Sequence, residues 1–188
     1  MRSNHVTHEI ALAVPVDRTD HSLGHPHAAI ILVEYGDFEC SSCKQAAPVL
    51  KLMLARHPLH LRLVFRHFPL EEVHAHALAA AMAAESAGGQ HKFWPMHDLL
   101  FENQAHLKGG QLRRYAEKLE LDMPLFDLEM ADTVRLQRVR EHMEGARRSG
   151  VRATPTFFVN SVLQDVSFGL GALEERIRQE VQACQRIP

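Results

Sequence analysis

An α/β fold interrupted by a helical block is what this sequence predicts, and three observations carry the prediction. A β-branched run at 30–33, Ile-Ile-Leu-Val, ends at Gly36 and Asp37 and gives way to helix formers at Lys44, Gln45, Ala46 and Ala47; this reads as a buried strand feeding a helix. Residues 69–150 contain helix signals and no convincing strand. Strand character then returns at 151–159, Val-Arg-Ala-Thr-Pro-Thr-Phe-Phe-Val.

The elements follow in order. Residues 1–19 read as an N-terminal arm in which 11–16 can add an edge strand. Residues 20–28 carry Asp, Ser, Gly, Pro and His and read as a loop. The helix that starts after Asp37 contains Pro48, which removes one backbone hydrogen bond and predicts a kink. Residues 59–68 alternate Leu61, Leu63 and Phe65 against Arg62, Val64 and Arg66, a second strand. The alanine-rich stretch 71–87 predicts a helix closed by Gly88-Gly89. Phe93, Met96, Leu99 and Leu100 recur at helical spacing within 92–102. A third helix spans 111–119, and Pro124 opens a fourth that can run to about Ser149. Pro155 sits at the start of an apolar run, where a ladder N–H can be spared. A short strand is expected within 161–168 and an amphipathic helix over 172–183. The organisation is an arm, an α/β domain split into 20–68 and 151–188, and a helical insertion at 69–150.

Composition limits the function. A net charge of −2 gives no signal for nucleic acid or an anionic membrane surface. Three cysteines do not make a disulfide framework. The longest apolar stretch near the start, Ile10 to Val14, is too short for a signal-peptide core, and no stretch approaches a transmembrane span. A cytoplasmic protein without membrane insertion is expected.

The chemistry sits at Cys40-Ser41-Ser42-Cys43, where the first strand ends and its helix begins. A helix N-terminus stabilises an anion, so the Cys40 thiol is expected below its ordinary pKa, and two cysteines three positions apart can close a short disulfide. Asp37 and Glu39 flank the motif; they oppose the thiolate if close, or are simply solvated. A structural zinc needs four ligands, and no second Cys-x-x-Cys exists. His74 and His76 stand two apart and face different directions on a helix. No metal site is expected, and His21 and His142 are among the scattered histidines that read as solvated surface. Cys184, in the last helix, reads as a structural or idle thiol.

These residues resemble the DsbA-like thiol–disulfide oxidoreductases, a thioredoxin fold with a helical insert, and most nearly the small bacterial branch also found fused to transporters. The resemblance covers about 20–185. It is carried by VEYGDFECSSC at 33–43, FRHFPL at 65–70, HAHALAAAMAAESAG at 74–88, KFWPMHDLLFENQ at 92–104 and SGVRATPTFFVN at 149–160. It implies a central mixed sheet flanked by helices, and redox chemistry with no cofactor beyond the Cys40–Cys43 disulfide. It implies that Cys40 is the nucleophile and Cys43 the resolving thiol. Thr154-Pro155 then matches the cis-proline loop that pairs with substrate, beside Ser41 and Ser42. Glu34 matches the acidic residue placed beneath the disulfide; a carboxylate within an apolar strand is costly unless used or paired, and burial raises its pKa. Trp94, His97 and Phe101 match positions in the insert, where core packing is their expected role. The implied partners are a protein or peptide thiol or disulfide and a redox partner.

The motif departs from many relatives in carrying Ser41-Ser42, with no proline and no imidazole between the cysteines. Residues 160–171 also depart from relatives, which often have a turn glycine and a Gly-Pro-containing stretch there. Two other readings use the same fold: a non-catalytic peptide-binding module, and a kappa-class glutathione-linked transferase. The intact dithiol argues against the first. The second class typically has serine where Cys40 stands.

Overall fold

The computed structural model describes residues 10–186. The strands are β1 (His21–Gly24), β2 (Ile30–Gly36), β3 (Leu61–His67), β4 (Thr156–Val159) and β5 (Val162–Gln164). They form one sheet in the order β1-β3-β2-β4-β5. β2 and β3 run parallel, joined through α1 (Ser41–Arg56), and the other pairings are antiparallel. The sheet is mixed, and its strands β2 and β3 are buried along nearly their whole length because both of its faces are covered.

Side chains alternate across a strand, so Ile30, Leu32 and Glu34 share one face. Ile30 and Leu32 pack there with Ala46, Leu50 and Met53 of α1 and with Leu173, Ile177 and Val181 of α7 (Gly171–Gln185). On the other face Val33, Tyr35, Val64 and Phe158 meet Val139, Met143 and Ala146 of α6 (Thr133–Arg148). Between β3 and β4 the chain also forms α2 (Ala77–Gly89), α3 (Phe93–Glu102), α4 (Gly109–Lys118) and α5 (Met123–Met130). Ala80, Ala83, Ala84 and Ala87 of α2 pack with Phe93, Met96, Leu100 and Phe101 of α3, and this core runs on into Phe38, Phe65, Cys40 and Cys43. The helical block and the two thiols share one apolar cluster.

The α/β fold is as expected, with differences in detail. Residues 21–24 form β1 rather than loop, because His-Ser-Leu-Gly is a short edge strand held by β3 alone and carries no apolar alternation of its own. α2 begins at Ala77, six residues later than the alanine signal suggests, because Asp37 and Glu39 hold the preceding turns. The expected fourth helix is two. Asp122 accepts a hydrogen bond from Leu125 N–H and starts α5, and Asp132 accepts one from Val134 N–H and starts α6. The strand expected from Val151 starts only at Thr156.

At the other edge, Ala11 forms an isolated bridge to Val162, Leu12 N–H donates to Ser161 O (2.9 Å) and Leu163 N–H to Ile10 O (3.1 Å). Residues 10–12 therefore cover the open edge of β5. The expected edge strand at 11–16 amounts to that one bridge. Residues 1–9 of the expected arm lie outside the described residues.

Candidate active site

Cys40 is the N-cap of α1, with φ −74° and ψ 120°. The β2–α1 turn that places it is pinned from several directions. Cys40 N–H donates to Asp37 O (3.1 Å) and Lys44 N–H to Cys40 O (3.1 Å). Gln104, beyond the end of α3, donates from Nε2 to Phe38 O (2.8 Å) and Cys40 O (2.9 Å). Phe38 fills the space below, its ring centroid 5.3 Å from Phe65 and 4.9 Å from Phe101. Gly36 makes this possible, since a Cβ there would lie 2.4 Å from the Phe65 ring.

The two sulfurs differ in environment. Both thiols are free, Cys43 fully buried and Cys40 9% exposed. The Cys40 thiol is lowered to about 5, chiefly by hydrogen bonding from the neighbouring Cys43 thiol. Burial opposes the drop, while the Thr154 side chain and the backbone N–H groups of Cys43 and Ser42 add to it. Burial pushes the Cys43 thiol far up, helped by its hydrogen bond to Cys40 and by the Glu34 charge. The depressed Cys40 pKa agrees with the expectation, but its chief cause is the partner thiol rather than the helix terminus.

The expected residues come together around this pair. The Thr154–Pro155 peptide is cis. Cys40 Sγ lies 3.2 Å from Thr154 O, the thiol donating. The buried Thr154 hydroxyl is committed to no other group, so it is free to donate to an anion at Cys40. Ser42, Thr154 and Pro155 line a groove of about 840 Å³, with Val49, Val166 and Leu170 as part of its apolar wall. Ser41 and Ser42 are solvent-exposed. Glu34 is buried, its Oε1 has no hydrogen-bond partner, and burial, aided by the Cys40 charge, raises its carboxyl to about 8. Phe101 and His97 pack in the core and Trp94 lies half-buried against it, its Nε1 donating to Ser22 O (3.1 Å). Cys184 is half-buried in α7.

Sequence reasoning missed two groups. Asp37 and Glu39 are not solvated flanks. Asp37 is buried; its Oδ1 accepts Glu39 N–H (2.8 Å), and its Oδ2 accepts Leu70 N–H (2.8 Å) and His74 Nδ1–H (2.8 Å). Glu39 accepts His76 N–H (2.6 Å). The acids thus tie the motif to the 69–76 turns, and their pairing across the chain left no local signal.

The second group lies beneath the insert. Glu85 of α2 takes His67 Nε2–H on one carboxylate oxygen (3.0 Å) and His21 Nε2–H on the other (3.1 Å). A carboxylate only accepts, so both rings must donate. His142 is buried against His67 and accepts His67 N–H at Nδ1 (3.2 Å). The reading of His21 and His142 as solvated surface is thus corrected: long-range packing of α6 and α2 on β1 and β3 encloses them. His67, Glu85 and His142 bring possible metal-ligating atoms within 4.8 Å of one another, yet both Glu85 oxygens are already committed to imidazole N–H groups. Nearby, Arg66 donates from Nε and Nη2 to the two oxygens of Asp20 (2.9 and 2.8 Å).

Comparison with known proteins adds three findings. Residues 17–177 match the family described as Thioredoxin. The chain is 44% identical over 169 residues to the Na(+)/H(+) antiporter NhaA 1 of Salinispora arenicola, across 89% of this chain and 26% of that protein. It is 39% identical over 151 residues to the Na(+)/H(+) antiporter NhaA of Herminiimonas arsenicoxydans, across 80% of this chain and 24% of that protein. The chain spans about a quarter of the length of the curated relatives it matches. In fold it is similar to oxidised BdbD from Bacillus subtilis (TM-score 0.81, 20% identity, 93% of this chain and 98% of that one). It is also similar to a thioredoxin-like oxidoreductase from Silicibacter pomeroyi (TM-score 0.77, 23% identity, 92% and 95%). A third likeness is the thiol-disulfide exchange protein alpha-DsbA2 from Wolbachia pipientis (TM-score 0.76, 18% identity, 87% and 88%). Among the described residues, no helix is long and apolar enough to cross a membrane.

Proposed function

This chain belongs to the thioredoxin family, and we propose that it catalyses thiol–disulfide exchange on protein or peptide substrates through Cys40 and Cys43. The observation that carries the reading is the asymmetry of the two thiols: Cys40 at about 5 beside an open groove, Cys43 buried beneath it with its pKa pushed up. The thiolate is the nucleophile, so at neutral pH Cys40 is armed while Cys43 holds its proton in reserve.

In the reductive direction the Cys40 thiolate attacks one sulfur of a substrate disulfide. A Cys40–substrate S–S bond forms, the substrate S–S bond breaks, and the departing sulfur leaves as a thiolate that takes a proton from water. With the Cys40 charge consumed in the mixed disulfide, Glu34 more readily ionises; its carboxylate takes the Cys43 proton, and Cys43 attacks Cys40 Sγ. The mixed disulfide breaks, the second substrate sulfur leaves, and the Cys40–Cys43 disulfide remains. The substrate gains two electrons and the dithiol loses two; oxidation of a substrate dithiol is the reverse. Thr154 and Pro155 border the attacked sulfur and supply the backbone against which an extended substrate lies. A dithiol or disulfide redox partner returns the pair to its starting state.

Trapping tests this reading. Cys43→Ser incubated with a disulfide substrate is expected to accumulate the Cys40 mixed disulfide by mass spectrometry, and Cys40→Ser to form none. Equal trapping by the two variants would overturn the assignment.

A further inference from the structure

The Cys-Ser-Ser-Cys motif holds no cation, yet its flank holds a buried anion. Asp37 is 2% exposed and lies three residues before Cys40, whose N–H it accepts on its backbone oxygen. A buried carboxylate stays ionised only where hydrogen bonds and opposite charge offset its burial; Asp37 already accepts the backbone N–H groups of Glu39 (2.8 Å) and Leu70 (2.8 Å). Among the described residues, the one ionisable side chain in hydrogen-bond contact with Asp37 is His74. Asp37 Oδ2 lies 2.8 Å from His74 Nδ1, and a carboxylate can only accept there, so Nδ1 carries a proton.

We propose that His74 supplies, from the turn before α2, the imidazolium that the motif itself lacks, cancelling the Asp37 charge beside Cys40 and so positioning the site for a thiolate. The inference rests on the exchange reading above. His74 acts through Asp37 and through the field at Cys40; it is a positioning residue. The charged groups that bear on it are Asp37 and Glu39 of the β2–α1 turn and Cys40 at the head of α1. Burial works to lower the His74 pKa, but the hydrogen bond to Asp37 and these three negative charges outweigh it and raise it. Electrostatic coupling is reciprocal: if the Cys40 thiolate favours the imidazolium, the imidazolium favours the thiolate by the same free energy. Glu39 is itself committed to His76 N–H (2.6 Å), so of the two acids only Asp37 bonds the His74 ring.

The sign gives a pH signature. Cys40 titrates at about 5, where a His74 with a raised pKa is already charged. The support is complete through that titration and fades only as pH rises past the histidine's own pKa.

The test is a titration of thiolate absorbance at 240 nm in the full chain, with folding of each variant checked by circular dichroism. In His74→Gln the Cys40 pKa is expected to rise by about half a unit or more, the scale on which a neighbouring charge acts. His74→Lys, which restores a cation, is expected to recover most of the shift. In Asp37→Asn the further change His74→Gln is expected to move the Cys40 pKa less than it does in the wild type, since the two groups act as a unit. A His74→Gln pKa equal to wild type would overturn this inference while leaving the exchange reading intact. A wild-type Cys40 that titrates like a free thiol would overturn both.

Discussion

Two glutamates, Glu34 and Glu85, are buried to almost the same degree, 1% and 3% exposed, and are in opposite electrostatic states. Glu34 lies on β2 beneath the thiols with an oxygen that has no hydrogen-bond partner, and burial raises its carboxyl to about 8. For Glu85, on α2 between β1 and β3, burial pushes the carboxyl up, but the hydrogen bonds from His21 and His67 outweigh it and hold it well below the usual range. The difference teaches that burial alone does not set the charge of an acid in this protein; partners do. An acid with two committed donors is an anchor. An acid left without one is a proton store, and this one sits beside the thiol that has a proton to move.

The sharpest way to break the comparison is to remove Glu85. Glu85→Ala leaves two imidazole N–H groups without their acceptor, and each buried donor left unsatisfied costs about 1–3 kcal/mol. Urea unfolding should show that loss. Glu85→Ala as stable as the wild type would mean that the histidines do not depend on it and that the two acids are alike.

The next test removes the charge of the other acid. Glu34→Gln keeps the shape and cannot accept the Cys43 proton. Resolution of the mixed disulfide is expected to slow by about 10²-fold or more at neutral pH, the lower scale of general acid–base catalysis, with stability unchanged or raised. The pH dependence separates the two regions further. Glu34 has a folded pKa raised from 4.5 to about 8, so its contribution to stability is present below 4.5 and is lost as pH rises toward 8. Glu85 has a depressed folded pKa, so its contribution is present above the ordinary carboxylate pKa and is lost as pH falls. His67 and His142, kept neutral by burial, act in the same direction as Glu85: their contribution is present above 6.5 and is lost below it as the unfolded rings take up protons. Glu34→Gln should therefore flatten the decline from 4.5 toward 8 and leave the acid limb in place. A change in the acid limb alone would reverse the assignment.

The same contrast explains what was legible beforehand. The dithiol is a local feature: a strand, a turn, two cysteines three apart and a helix within about fifteen residues of chain. Glu34 was legible because a carboxylate interrupts an apolar strand. The Glu85 region was not. His21 and Glu85 stand 64 positions apart and His67 and Glu85 stand 18 apart, and no periodicity joins them. β1 carries no strand signal for a related reason, since its order comes from β3 rather than from its own residues. Asp37 was noticed for its charge, but its meaning depends on His74, 37 positions on. Features made by neighbours in sequence could be read from the residues; those made by neighbours only in space could not, save Thr154-Pro155, which the family resemblance placed at the motif from 114 positions away.

The smallest effect is expected at Cys184, a third thiol that belongs to neither region. It lies near the end of α7, whose buried residues Leu173, Ile177 and Val181 pack with β2 and α1 on the apolar face of the sheet. Its side chain is half-buried and is not part of that cluster. A disulfide requires Cα atoms within about 7 Å, and Cys184 lies near the C-terminal end of α7 while Cys40 and Cys43 lie at the N-terminal end of α1. Cys184→Ala should leave exchange rates within about twofold and thiolate titration at Cys40 unchanged, because it removes neither a charge nor a hydrogen bond from the motif. Steady-state exchange with a peptide disulfide would measure it. A large loss would mean that Cys184 resolves an intermediate, and the division of labour between Cys40 and Cys43 would have to be redrawn around three thiols.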